Sequence, residues 1–430
     1  MRFSLAAIPA RWTALALSVL VALLLAYFSI RNARAEHFMA QETPRGFGHA
    51  VRLEPENPRL WYLLGRYWQY NFDQQNLTRA VSSYRHAISL DPRSASTWLD
   101  LAQAYEDQGR DEDAQNAYRG ARNAYPVSPE VAWRQANFLL RQGKNAAAYV
   151  EFRRAIEGQP SLALAAISRC WRADPDVDGI LGQVLPPRSE TYLAAMKFFV
   201  DEGNSDAAIA AWQRVLASAS GVPLKESFSL LDLLINAGRT KEALAVWEQA
   251  RTLAGVQEPP EASHSLVWDG GFETDALGGG FAWRLRQHPG IQIDFDAQNK
   301  HSGARALRIR FDGKENFDFS NVSQYVAVEP RMTYHLTGWI RTDDISTDNG
   351  MRLLVYDPKD PGKSGRLTSE VVGTEPWTQL ELTFTTGPET HLVVLCIRRI
   401  PTTKLDNKLR GTAWVDDVTL APLRSAGKIR

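Results

Sequence analysis

Residues 98–160 read WLDLAQAYEDQGRDEDAQNAYRGARNAYPVSPEVAWRQANFLLRQGKNAAAYVEFRRAIEGQP. Five positions in this stretch return after 34 residues. The matched pairs are Gly109 and Gly143, Ala114 and Ala148, Tyr118 and Phe152, Ala121 and Ala155, and Pro126 and Pro160. A period of about 34 residues is the length of one helix–turn–helix unit. The spacing therefore predicts paired helices that stack into a solenoid.

Each residue type suits its place in such a unit. Small side chains such as Ala102 and Ala114 let two helices approach closely, and Trp98 fills the space around them. Gly109 suits a left-handed turn between helices, because a Cβ atom disfavours that conformation. Pro126 ends a second helix, since proline lacks the N–H donor and clashes with the preceding turn. The pattern resembles the tetratricopeptide repeat family, and the resemblance implies a solenoid that holds a partner.

The helical pattern extends over residues 56–254 as about five helix pairs, with an irregular insert after Pro160. A plain helical bundle is the alternative architecture. We expect the inward positions of the first helix of each pair to bind a protein segment. The residues predicted for that face are Tyr62, Arg66, Gln103 and Asn137. Some of these side chains could instead serve in packing between helices.

Residues 1–35 predict a membrane segment. Trp12–Ile30 contains no charged residue, and as a helix it would span about 30 Å, one hydrocarbon core. Arginines on both sides of the run give little orientation signal. We predict a retained single-pass anchor with the bulk of the chain in the periplasm. Secretion after cleavage near Ala35 is one alternative, because Ala33–Ala35 has a small-x-small form, and repeats in the cytosol are another.

Composition and motifs exclude several classes of function. Lys plus Arg and Asp plus Glu are equal at 49 each, so no nucleic-acid partner is predicted. Cys170 and Cys396 fall in different predicted domains and indicate no disulfide framework. The sequence contains no GxSxG, HExxH, P-loop or GxGxxG motif. These observations predict a protein that is not an enzyme.

A second domain begins where the helical period stops. Residues 255–265 (GVQEPPEASHS) lack periodicity and predict a linker. Beyond it, apolar and polar residues alternate, as in Leu307–Phe311, Tyr334–Arg341 and Leu380–Phe384. Many short strands in this length predict an all-β antiparallel sandwich or jelly roll over residues 266–423.

Three short motifs mark this domain: WDGGFE at Trp268–Glu273, HSG at His301–Gly303 and WVDDV at Trp414–Val418. Their layout resembles the family-4/9 type of carbohydrate-binding module. The resemblance covers nearly the whole domain and implies a jelly roll that binds polysaccharide. Within that resemblance, Asp269 stands where asparagine is usual.

The resemblance also implies a structural calcium ion between the first and last strands. Glu273 with Asp416 or Asp417 would supply carboxylate oxygens, and backbone carbonyls near Ser302 and Gly303 would complete the shell. Because adjacent strand residues point to opposite faces, we expect one of the two aspartates to face the ion. The alternative is that these carboxylates make strand-end hydrogen bonds without a metal.

Aromatic faces flanked by polar donors are the side chains that hold sugar rings. Trp339 is the leading candidate, because it lies on the polar side of its strand. The residues expected on the same face are His335, Arg341, Arg308 and Arg310. Arginine forks match carboxylates, so this face predicts an acidic polysaccharide, whereas an ordinary solvated sheet face is the alternative. Further aromatic candidates are Trp283, Tyr325 and Tyr356.

Together these features predict a membrane-anchored, extracytoplasmic adaptor. Its solenoid would bind a protein partner and its jelly roll a polysaccharide, as in envelope polysaccharide assembly or export. The warrant is the combination of two domain resemblances. A pure protein–protein scaffold without sugar binding is one alternative, and an accessory subunit or degenerate hydrolase of a polysaccharide enzyme is another.

Overall fold

The computed structural model describes residues 8–218, 221–257 and 265–423. The N-terminal part is all helical and the C-terminal part is a two-sheet β-sandwich, as predicted. The predicted linker lies largely outside the described residues, because 258–264 are not among them. Contacts divide the chain into two compact units, Met1–Pro186 and Pro187–Arg430.

The first unit is built from helices whose ends carry recognisable signals. Its helices are α1 (Ile8–Met39), α2 (Pro44–Leu53), α3 (Pro58–Tyr70), α4 (Leu77–Leu90), α5 (Ala95–Asp107), α6 (Asp111–Ala124), α7 (Pro129–Arg141), α8 (Asn145–Gly158), α9 (Ala163–Ala173) and α10 (Val177–Gly179). Asn57, Asn76, Ser94 and Ser128 begin helices by accepting a hydrogen bond from a backbone N–H of the first turn. Such caps satisfy donors that have no partner within the helix.

The predicted repeats are present as helix pairs. Helices α3 and α4, α5 and α6, and α7 and α8 pack together, and the first helices α3, α5 and α7 lie beside one another. Gly109 and Gly143 adopt left-handed conformations, with φ of 69° and 68°, in the turns of two pairs. Ala102, Ala114 and Ala121 are fully buried. The predicted turn at Gly109 and the close packing through alanines are therefore confirmed.

The N-terminal helix continues into the first unit without a break. Trp12–Ile30 is exposed, and by length and composition this helix suits either a membrane span or a signal sequence. Its last turns pack on α2 and α3, where Ala35 is only 1% exposed. Glu36 forms an ion pair with Arg59 at 3.0 Å. The sequence analysis did not predict α2, because its residues carry no repeat motif.

The second unit opens with two further helix pairs, α11 (Ser189–Asp201) with α12 (Ser205–Ser218) and α13 (Phe228–Asn236) with α14 (Thr240–Ala254). With α3–α8 they make the five pairs that were predicted. The irregular insert after Pro160 is α9 and α10, followed by a π-helical turn over Ile180–Val184.

The sandwich holds two five-stranded antiparallel sheets. Its strands are β1 (Arg284–Leu285), β2 (Ile291–Asp296), β3 (Ala306–Asp312), β4 (Phe319–Ala327), β5 (Thr333–Ile345), β6 (Arg352–Tyr356), β7 (Arg366–Leu367), β8 (Gly373–Thr385), β9 (Leu392–Arg399) and β10 (Arg410–Pro422), with a short helix α15 (Pro361–Ser364) before β7. Sheet 1 has the order β1-β4-β9-β6-β7, and sheet 2 has the order β2-β3-β10-β5-β8. Alternate residues of both sheets form the core, as the period of two predicts.

The last helix pair packs directly on the sandwich. The Trp247 ring of α14 lies 5.6 Å from that of Trp268 and 6.2 Å from that of Phe281, centroid to centroid. A Cβ atom at Gly280 would lie 2.5 Å from the Trp247 ring, so only glycine permits this approach. Trp247 is 2% exposed. Helix α14 therefore shares a buried aromatic contact with the sandwich.

Candidate binding sites

A row of polar side chains crosses the first helices of successive pairs. We call it the first-helix face; its members are Tyr62, Arg66, Asp100, Gln103, Arg134, Asn137, Arg141 and Arg169. Asp100 of α5 is its centre, because it accepts from Tyr62 of α3 at 3.0 Å and from Arg134 of α7 at 3.3 Å. Arg66 of α3 approaches the same carboxylate at 3.9 Å. The four residues predicted to contact a partner lie on the first helices α3, α5 and α7. Their binding of a protein segment stays a prediction.

Charge on the first-helix face is arranged in two layers. The carboxylate of Asp100 is 9% exposed and that of Glu106 is 11% exposed. The arginines paired with them are far more open, with Arg66 at 51% and Arg141 at 54%. The buried acids hold the guanidinium groups in place, while the guanidinium groups meet the solvent. In each of these pairs the guanidinium is therefore the group that a partner can reach.

Arg169 of α9 completes the cationic layer. Its guanidinium lies 5.1 Å from the centroid of the Trp133 ring and donates to Asn137 at 2.8 Å. Among the described residues no carboxylate lies within ion-pair distance of it. Two exposed acids flank the row: Asp107 accepts from Gln103 at 2.9 Å, and Glu130 pairs with Arg134 at 2.8 Å.

Hydrogen bonds fix the remaining polar members of this face. Burial raises the pKa of the Tyr62 hydroxyl, and the neighbouring Asp100 carboxylate raises it further. Tyr62 therefore stays a neutral hydrogen-bond donor at physiological pH. Asn137 donates to the Trp133 carbonyl at 2.7 Å while accepting from Arg169.

The predicted arginine-rich face lies on the outer surface of sheet 2. Arg308 and Arg341 stand on either side of Trp414 in the strand register, so β10 separates the two strands that carry them. Trp339 and His335 point outward from β5 on the same face. The five residues therefore share one face, although their strands are not direct neighbours.

This face already neutralises much of its own charge. Arg308 forms ion pairs with Asp294 at 2.7 Å and Asp296 at 3.0 Å, and Arg310 pairs with Asp294 at 2.9 Å. Burial raises the pKa of Asp296, but hydrogen bonds led by that from the Trp414 indole outweigh it and hold the pKa well below its ordinary value. Asp296 therefore remains ionised beside Arg308.

Neighbouring rings and amides occupy the rest of the same face. His301 stacks on Trp339, with centroids 4.0 Å apart and an interplanar angle of 17°. Arg341 lies 5.3 Å from the Trp414 ring centroid and donates to Asn299 at 3.0 Å. One face of the leading aromatic candidate is therefore covered by the chain itself.

The carboxylates predicted to hold calcium do converge on one loop. Glu273 accepts from the backbone N–H of Ala304 at 2.9 Å, and Asp416 accepts from those of His301 at 2.8 Å and Ser302 at 3.2 Å. Asp417 accepts from the Ser302 hydroxyl at 2.7 Å. Both aspartates face the loop, contrary to the expectation of one. A bulge in β10 is the cause, because Asp417 takes a φ of 50° and breaks the strand alternation.

These carboxylate oxygens therefore accept hydrogen bonds from the loop, which is the arrangement expected where no metal is bound. Among the described residues, no group of three or more His, Cys, Asp or Glu side chains is placed to hold a metal ion. Burial raises the pKa of Asp416 to about 6, although the loop N–H groups partly oppose this. Calcium stays a prediction.

Two further aromatic candidates, Tyr325 and Tyr356, flank a groove on the outer face of sheet 1. The sequence analysis named both residues but did not predict that they share a groove. Tyr325 of β4 and Tyr356 of β6 both register with Val394 of β9, so strand spacing sets their Cα atoms about 10 Å apart. The groove has a volume of about 460 Å³, and Leu354 and Cys396 extend its apolar floor. We call it the tyrosine groove. A further aromatic candidate, Trp283, is buried in the core instead.

The sequence of β9 already indicated that the outer face of sheet 1 is apolar at its centre. Residues 392–397 read LVVLCI and are apolar at every position, which indicates a strand covered on both faces. All six are buried. Burial raises the pKa of Cys396 to about 11, so the thiol stays protonated and unreactive at neutral pH.

Comparison with known proteins identifies the repeats. Residues 71–136 match the tetratricopeptide repeat family. The prediction of tetratricopeptide units is therefore confirmed for that segment, which includes α5 and α6. The match agrees with the helix pairs and left-handed glycine turns described above.

The proteins with similar sequences match only part of this chain. The chain is 30% identical over 168 residues to the tRNA(Glu)-specific nuclease WapA of Bacillus subtilis subsp. natto, covering 37% of this chain and 7% of that protein. The tRNA nuclease WapA of Bacillus subtilis strain 168 is 27% identical over 168 residues. The chain thus spans about 7% of the length of these relatives. Their nuclease activity is stated of them alone.

Two groups of solved structures are similar to parts of the chain. The CBM22-1–GH10 modules of Clostridium thermocellum xylanase 10B, complexed with xylohexaose, are 14% identical, with 38% of this chain and 29% of that chain covered and a TM-score of 0.28. PilF of Pseudomonas aeruginosa is 18% identical, with 43% of this chain and 90% of that chain covered and a TM-score of 0.30. These similarities to xylanase 10B and PilF identify no ligand of this chain.

The carboxylate loop generates a pH prediction. Because the folded pKa of Asp416 exceeds the unfolded one, folding favours its protonated form, and that stabilisation is lost as pH rises through about 6. In chelator-treated protein, the free energy of unfolding attributable to Asp416 should fall by about 2 kcal/mol between about pH 4 and about pH 7. Denaturant titrations measure this fall as the difference in pH slope between the native chain and Asp416→Asn.

The exposed Asp275→Asn is the matched control and should keep the native slope. An unchanged slope in Asp416→Asn would contradict the prediction. Added calcium tests the metal, because an ion bound to Asp416 would hold the carboxylate ionised and flatten the slope.

Proposed function

We propose that this protein is a membrane-tethered adaptor that binds an acidic segment of a protein partner on its first-helix face. The two-layer arrangement of charge carries the proposal, because buried Asp100 and Glu106 fix a set of open guanidinium groups. Arginine forks bind carboxylates with directional, charge-assisted hydrogen bonds. Tetratricopeptide solenoids present an extended surface to partners, which suits a segment lying across several helices.

The tether is retained in this proposal. The candidate cleavage site, Ala33–Ala35, lies within α1, and Ala35 is buried against α2 and α3. Cleavage there would sever α1 within the core formed by Phe47, Ala50 and Leu60. The helical core of the first unit therefore begins at the end of the apolar helix. In this proposal the bulk of the chain lies in the periplasm.

Full-length protein should remain in membranes after alkaline carbonate extraction, and intact mass should include residues before Ala35. A C-terminal alkaline phosphatase fusion should be active, because that enzyme requires the periplasm. A mature chain that starts at Glu36 would contradict the retained tether. An inactive fusion in the membrane fraction would contradict the orientation and favour repeats in the cytosol.

The first-helix face should prefer acidic peptides. Fluorescence anisotropy with the full chain in detergent compares a short Glu-Gly repeat peptide with a Lys-Gly one of equal length. The double variant Arg66→Gln/Arg169→Gln should weaken binding of the acidic peptide roughly fivefold, since exposed ion pairs contribute about 0.2–1 kcal/mol each. Binding should also weaken as salt rises.

The matched control is Arg85→Gln/Arg119→Gln, which removes two exposed arginines from the second helices α4 and α6. This control should bind the acidic peptide like the unaltered chain. Equal loss in both double variants would show a general charge effect and contradict a site on the first-helix face.

A second candidate function is polysaccharide binding by the sandwich, and the tyrosine groove favours it. Tyr325 and Tyr356 flank an apolar floor, and Asp318, Ser320 and Arg398 stand at the rim. Aromatic faces with polar groups around them suit sugar rings. A tether, a protein-binding face and a glycan groove would suit a non-enzymatic component of envelope polysaccharide assembly or export. The outer face of sheet 2, which carries Trp339, is the alternative location for the sugar site.

Affinity electrophoresis separates the two locations. Tyr356→Ala should lose roughly tenfold in affinity, about 1.4 kcal/mol, for neutral polysaccharides such as xylan or β-glucan in the gel. Trp339→Ala should retain binding to them, and alginate tests the acidic alternative on the same gels. Tyr125→Ala, an exposed tyrosine of the first unit, is the control. Retardation that depends on Trp339 and not on Tyr356 would overturn the tyrosine groove.

A further inference from the structure

A smaller cavity adjoins the tyrosine groove where α13 and α14 meet the sandwich. Its volume is about 160 Å³, room for about one sugar ring. Tyr325 and Pro358 line both the groove and this cavity, so the two are contiguous. Asn236 and Thr240 line it from the helix side. We call it the junction cavity.

The side chains around the junction cavity are chemically mixed and open. Asn236, Lys359, Glu389 and His391 are exposed. In the described part of the chain, none of these four side chains forms a hydrogen bond or an ion pair. They offer an amide, an ammonium group, a carboxylate and an imidazole within one small space. Sugar hydroxyls both donate and accept, so such a mixture beside an aromatic ring suits a pyranose better than an apolar or singly charged ligand.

The helices also hold the ring that joins the two spaces. The Arg284 guanidinium lies 4.5 Å from the Tyr325 ring centroid. It is fixed there by Asp232 of α13 at 3.0 Å and by the Gly280 carbonyl at 2.7 Å. Tyr325 therefore sits between the tyrosine groove and the junction cavity with its position set partly by α13.

We propose that the junction cavity is a further sugar subsite, so that a neutral oligosaccharide in the tyrosine groove extends onto the last helix pair. The proposal rests on the second candidate function above. It adds that helices α13 and α14 take part in glycan recognition, with Asn236 as a direct contact and Arg284 as a positioning residue for Tyr325. A chain too short to leave the groove would not reach the helices.

The test is the dependence of affinity on oligosaccharide length. Xylo- and cello-oligosaccharides from the disaccharide to the hexasaccharide are titrated calorimetrically into the full chain in detergent. Affinity should rise by roughly three- to tenfold at the length that first fills the junction cavity, as one or two neutral hydrogen bonds would give. Asn236→Ala should remove that rise and leave the affinity for shorter chains unchanged.

Variants distinguish this subsite from the groove itself. Tyr356→Ala should lower affinity at every length, and Asn123→Ala, an exposed helical asparagine of the first unit, should change none. Asp232→Asn should weaken binding in the native chain but have no further effect in Tyr325→Ala, because it acts through that ring. Melting temperatures should stay near the native value in Asn236→Ala.

Two outcomes overturn the inference in different ways. Binding that requires Tyr356 but shows the same length dependence in Asn236→Ala and the native chain would leave the groove standing and remove the junction subsite. No binding of any oligosaccharide by the native chain would contradict the candidate sugar function and the subsite together.

Discussion

The close approach of paired helices is the constraint on which the first unit depends. Ala80 and Ala102 are fully buried, and a Cβ atom at Gly65 would lie 2.6 Å from the Tyr84 ring. Larger side chains at these positions would push the helices apart, because protein interiors are close-packed. This spacing sets α3, α5 and α7 side by side. It is also what brings Asp100 within reach of arginines on both neighbouring helices.

The two outer faces of the sandwich show how packing decides which polar groups are available to a ligand. On sheet 2, Asp294 and Asp296 lie on the strand next to Arg308 and hold its guanidinium in ion pairs. On sheet 1, the central strand β9 is apolar over Leu392–Ile397 and leaves tyrosine rings beside an open floor. The number of charged residues on a strand therefore does not tell which of them are free of partners within the chain.

Each compact unit contains segments that secondary structure alone would assign to different domains. The apolar N-terminal helix ends inside the first helical core, through Ala35. In the second unit, Trp247 of α14 packs on Trp268 of the sandwich. In each case a buried apolar contact joins two segments whose sequence patterns differ. A cavity can therefore be lined from both sides of such a join, as the junction cavity is by α13, α14 and the sandwich.

The sequence by itself determined the local elements. The 34-residue period specified helix pairs with glycine turns, alternation in Leu307–Phe311 specified a strand, and the uncharged run specified a long apolar helix. These signals are local, since each follows from the geometry of a single helix or strand. Only the tertiary structure decided which distant residues meet. Val394 lies between Tyr325 and Tyr356 because of strand order, which alternation does not encode.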